Sequence, residues 1–180
     1  MIHAKSPYKD SARYIELVRL VALGKLDQAR KGLRQLLSND ILEESLKIEV
    51  EMSLARLAMQ ANDYSEALKL FESVREAVPN QPRLLLELAW AHFYKGDPRR
   101  TLGYLLALDA PIYQVQTAPE RFLLEALTLR SLCQFGPART AISRLQVRYK
   151  KALDDLYRGV DPSRSQSLRS AAYRRGELRP

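Results

Sequence analysis

The chain has 180 residues, 46% hydrophobic and 28% charged, with 7 Gly and 9 Pro, which suits one domain or one repeat array and excludes collagen-like or low-complexity architectures. Its single cysteine, Cys133, excludes an internal disulfide framework and a Cys-cluster metal site, and fits a reducing compartment. The net charge of +8 is uneven: residues 1–138 carry 18 basic and 17 acidic side chains, residues 139–180 carry 11 and 4, so a near-neutral body ends in a basic segment.

Residues 1–9 read as an N-terminal extension. Apolar residues at helical spacing then predict eight antiparallel helices, near 10–23, 26–38, 41–61, 64–77, 81–95, 98–108, 117–135 and 138–157. Residues 158–180 form a basic tail that is either disordered or a short helix over 163–175, with Asp161 as cap and Pro162 in the first turn. No apolar run approaches the roughly 20 residues of a membrane span. The N-terminus lacks the apolar stretch of a signal peptide. The expected location is therefore the cytoplasm, or the periplasm or envelope if Met1 is not the native start.

Four segments share one pattern: a helical run stops at Gly or Asn, a short polar turn follows, and a small residue sits five positions on. The stops are Gly24, Asn62, Gly96 and Gly136, spaced by 38, 34 and 40 residues, followed by Ala29, Ala67, Thr101 and Ala141. Gly and Asn tolerate the left-handed backbone that ends a helix.

These residues resemble the tetratricopeptide repeat family, whose unit is a helix-turn-helix of 34 residues. The second and third segments match in detail. The resemblance implies that Ala55 and Ala89 are small where the two helices of a pair approach, that Leu17 and Leu129 in the outer pairs give wider packing, and that insertions fall near Ser38–Glu44 and Asp109–Glu120. Phe71 and Leu105 fill the large apolar position, Val74 and Leu108 follow, and Pro79 ends the second repeat. The run from Glu87 to Pro111 is also similar to repeats of large bacterial envelope-associated proteins. The resemblance implies an all-α solenoid, a right-handed superhelix of about four repeats near 10–43, 48–81, 82–115 and 122–157. It also implies a concave face lined by the first helix of each repeat.

The matching positions make Tyr14, Met52, Arg56, Arg83, Trp90, Tyr94 and Arg130 the candidate partner-binding residues, an aromatic centre with arginine flanks. Such a groove suits a peptide or helix of a partner protein, and its arginines suit a carboxylate. Alternatively Trp90, Phe93 and Tyr94 pack between repeats. The Lys and Asn clamp of one subset of the family is absent: those positions hold Met52, Arg56, Leu86 and Trp90.

The basic end is the second candidate: Arg148, Lys150, Lys151, Arg158, Arg164, Arg169, Arg174 and Arg175. It suits nucleic acid, an anionic membrane or an acidic partner, or is simply a solvated cap. No base-reading module accompanies the charge. Catalysis, a cofactor and a metal are not expected. Only His3 and His92 are present, with no phosphate loop or nucleophile elbow, and Cys133 reads as buried and inert.

Overall fold

The computed structural model describes residues 8–79, 81–116 and 118–173. Among these residues there are ten α-helices and no strand. The chain divides into two compact halves, Met1–Asn80 and Gln81–Pro180.

The N-terminal half holds α1 (Lys9–Ala22), α2 (Leu26–Leu37), α3 (Glu44–Gln60) and α4 (Tyr64–Ala77), packed as two helix-turn-helix pairs. Leu17, Ala29, Leu33, Leu36, Val50, Leu54 and Leu57 form its core. Full burial of a leucine contributes about 2 kcal/mol, so these side chains fix which helix faces turn inward. The expected wide packing at Leu17 does not occur. Gly32 on α2 is buried against Leu17, so the small residue has moved to the second helix of the pair. Polar contacts reinforce the stack: Arg30 donates to the Leu57 carbonyl at 3.2 Å, and Arg34 pairs with Glu66 at 2.6 Å.

The C-terminal half holds α5 (Pro82–Tyr94), α6 (Pro98–Ala107), a 3-10 turn (Pro111–Gln116), α7 (Glu120–Ser131), α8 (Phe135–Arg148), α9 (Lys150–Tyr157) and α10 (Gln166–Tyr173). Leu85, Ala89, Leu105, Leu108 and Leu124 are its buried cluster. Pro82 and Pro98 begin their helices at the positions where a missing N–H costs nothing.

The helix stops share one geometry. Gly24, Asn62, Gly96, Cys133 and Gly159 all have φ between 58° and 80°. In each case the next residue's N–H reaches the carbonyl five positions back, at 2.9–3.0 Å, as from Lys25 to Leu20, Asp63 to Ala58 and Gln134 to Leu129. The stop residue's own N–H reaches three positions back, which satisfies the last carbonyls of the helix. Asp63 and Asp97 then cap the following helix, accepting from the N–H groups of Glu66 and Arg100.

The fourth stop is therefore Cys133, not Gly136, which lies in the first turn of α8. The small residue seven positions before it is Ala126, buried, rather than Leu129. The eighth expected helix starts at Phe135 and is divided at Tyr149, whose buried ring meets Phe122 edge-on at 6.4 Å. Eight expected helices thus become ten. The same stop recurs at Gly159, with Ala152 seven residues before it, so α9 and α10 repeat the pattern in shortened form. The cap of α10 is Ser165, whose Oγ accepts from Leu168 N–H at 3.1 Å. Asp161 instead closes a local turn on Ser163.

Candidate interaction surface

Helix α5 buries Leu84, Leu85, Leu88, Ala89, Ala91 and His92. Helical periodicity sets Arg83, Glu87, Trp90 and Tyr94 along the other side. Trp90 is half-buried and packs against the Leu85–Leu124 cluster. Its indole Nε1–H donates to Glu120 Oε1 at 2.6 Å. Glu120 lies in the first turn of α7, where the helix dipole favours a carboxylate.

The Trp90 ring stacks on Tyr94 with centroids 5.6 Å apart and meets Phe93 edge-on at 5.8 Å. Tyr94 is 53% exposed on α5, and Leu123, three residues after Glu120 on α7, is 46% exposed. Trp90 thus serves packing and surface at once, whereas Tyr94 belongs mostly to the surface.

The other candidate residues separate by half. In the C-terminal half, Arg83 and Arg130 are exposed. In the N-terminal half, the Tyr14 hydroxyl sits 3.0 Å from Ser53 Oγ and donates to the Glu49 carbonyl at 3.4 Å, tying α1 to α3. Met52 is only 7% exposed and belongs to the buried side of α3, while Arg56 is half-buried. Glu120 is the residue that sequence reasoning missed. An acid in the first turn of a helix is common, and nothing local announces that an indole on another helix will meet it.

One arginine of the basic segment, Arg144, is paired with an acid from outside it, in a cluster built around Arg121 of α7. Arg121, 2% exposed, forms a two-point pair with Asp109 and reaches Glu125 at 3.3 Å. Arg144 pairs with Glu125 from α8. Arg121 and Arg144 also lie over the Phe122 ring, 4.8 and 5.7 Å from its centroid. The hydrogen bond from Arg121 holds the Asp109 carboxyl below its ordinary range, helped by the charges of Arg121, Arg144 and Arg148 and opposed by burial.

Asp155 accepts from Ser165 at 2.7 Å and Ser167 at 2.5 Å, and these hydrogen bonds lower its pKa, with Lys151 and Arg158 adding smaller effects. Lys150, Arg164 and Arg169 are exposed alongside them. Arg174 and Arg175 lie outside the described residues, as does His3. Cys133 is exposed at its turn rather than buried on an apolar helix. Among the described residues, no helix is long and apolar enough to cross a membrane, and no group of three or more His, Cys, Asp or Glu could hold a metal ion.

Paired helices joined by a recurring left-handed stop define a helix-turn-helix repeat protein. Residues 58–109 match the family model described as tetratricopeptide repeat. Residues 58–109 are therefore of tetratricopeptide type, and the chain has the all-α fold of paired-helix repeat proteins.

Solved structures share this fold at low identity. A fragment of MamA from Desulfovibrio magneticus RS-1 is 14% identical, with TM-score 0.65, covering 86% of this chain and 79% of that one. A putative kinesin light chain repeat protein from Podosopora anserina is 20% identical, with TM-score 0.65, covering 96% and 87%. PcrH in complex with the chaperone-binding region of PopB is 16% identical, with TM-score 0.51, covering 78% and 99%. No curated protein sequence is significantly similar to this chain.

Proposed function

We propose that this protein is a non-catalytic interaction module that holds a peptide or helix of a partner protein on the α5–α7 surface. The observation that carries the reading is the Trp90–Tyr94 stack. Trp90 is fixed by Glu120, Tyr94 remains 53% exposed, and Leu123, one turn past Glu120 on α7, is also exposed. Rigid aromatic side chains give large contact area at low entropy cost, and such residues dominate interface energetics. The fold likeness is consistent with this role, since PcrH was solved with a segment of another protein bound. Arg83 and Arg130 stand at the ends of the surface as rim charges. The N-terminal half acts as scaffold, with Tyr14 and Met52 serving packing.

The test is a pair of surface variants. Leu123→Glu changes an exposed side chain and should keep the wild-type melting temperature, while Tyr94→Ala, which also loses the stack on Trp90 worth about 1 kcal/mol, should lower it by only a few degrees. Both should also lose a partner that the wild type captures from source cells. Equal retention of that partner by both variants would contradict the assignment.

A further inference from the structure

We propose that the segment bound on the α5–α7 surface presents a cationic side chain, lysine or arginine, to the Trp90–Tyr94 pair. The proposal deepens the reading of that surface as the binding face and rests on it.

Three observations carry it. Trp90 has one polar atom, Nε1, and Glu120 takes it at 2.6 Å. The stacked pair therefore meets a ligand with π-faces rather than with an indole donor. Such faces attract cations through the ring quadrupole. Second, an acid sits at the centre of the surface: Glu120 is at the edge of Trp90. Third, the positive charges lie outward. Arg83 is two turns before Trp90 on α5, and Arg130 is ten residues beyond Glu120 on α7, about 15 Å at a rise of 1.5 Å per residue. A ligand carboxylate over Trp90 would meet Glu120 as a like charge. A ligand cation would meet a carboxylate and an aromatic face together. Leu123, 46% exposed and one turn past Glu120, gives an aliphatic neighbour of that cation a place to pack.

Trp90 is the only tryptophan in the chain, so its emission reports this surface directly. The probes are two blocked nonapeptides that are identical except at the centre, Leu-Lys-Leu in one and Leu-Glu-Leu in the other. Titrated into the full chain, the lysine peptide should shift Trp90 emission with at least tenfold lower Kd than its acidic twin. Glu120→Gln keeps an acceptor for the indole and removes the charge; it should narrow that gap to threefold or less. Tyr94→Ala should abolish the response.

Binding of the acidic twin as tightly as the lysine peptide, lost in Tyr94→Ala, would overturn the cation and leave the surface standing. No Tyr94-dependent response to either peptide would overturn both.

Discussion

Leu17 on α1 fills the space that a side chain on Gly32 of α2 would need: a Cβ at residue 32 would lie 2.2 Å from Leu17 Cδ2. Both residues are buried, so the leucine has no open side to move into. Gly32→Ala should therefore destabilise the chain by about 1–2 kcal/mol, the overpacking cost of about 1–3 kcal/mol less the helix preference of alanine. In a Leu17→Ala background the same change should become stabilising, because the space is then empty. Urea unfolding of the four proteins in this double-mutant cycle checks the reversal of sign.

Cys133 holds a left-handed backbone, φ 58°, at a stop where Gly24 and Gly96 have φ 73° and 80°. Side chains with a Cβ pay roughly 1–2 kcal/mol for that conformation. Cys133→Gly should raise stability by about 1 kcal/mol, and Cys133→Val should lower it. Asn62→Gly should change less, since asparagine tolerates this region. Thermal melts of the three variants test the ranking.

Asp109 has its pKa lowered chiefly by the hydrogen bond from Arg121. The folded chain therefore releases that proton more readily than the unfolded chain. The stability this provides is present above the ordinary carboxylate pKa and is lost as pH falls through the lowered value. Asp109→Asn leaves the buried Arg121 with Glu125 as its acidic partner. At pH 7 it should cost about 1–2 kcal/mol, less than a fully buried pair because Asp109 keeps contact with water. The difference from wild type should shrink between pH 5 and pH 2. Melting curves across that range, with equal acid sensitivity in both proteins, would contradict the role given to Asp109.

Ser165 joins α9 to α10, capping one helix and donating to Asp155 on the other. Ser165→Ala should lose about 1 kcal/mol of capping. Amides of residues 166–173 should exchange faster with deuterium, while those of α5 and α7 should be unchanged. The lowered pKa of Asp155 gives the same contact an acid limit: it weakens as pH falls below the ordinary carboxylate value.

The repeat was legible because its signals are local. Gly24, Asn62 and Gly96 announce their turns, and Ala55 and Ala89 announce close helix pairs. Cys133 hid the fourth turn, since nothing in a cysteine signals a left-handed backbone, and Gly136 three residues later drew the assignment. Once that register is corrected, Ala126 takes the small position and the spacings become 38, 34 and 37 residues. The Leu17–Gly32 exchange was missed for a different reason: each residue alone looks like a departure, and only the pair conserves volume. For the proposed surface, the sequence indicated positions on α5 and α7 but not their partners. Arg83, Trp90, Tyr94 and Arg130 fall at the helical positions that the repeat pattern indicates. The partnerships of Trp90 with Glu120 and of Arg121 with Asp109 depend on tertiary approach, which periodicity does not encode.

We place a partner protein on Tyr94 and its neighbours on α5 and α7. Site-specific photo-cross-linking in source cells tests that placement. A benzophenone amino acid replaces Tyr94 in one strain and the exposed Lys69 on α4 in a second. Position 94 should give a discrete adduct with a second protein, reduced by Leu123→Glu and missing from position 69. The same adducts from both positions, or none from position 94 while Lys69 yields one, would contradict it.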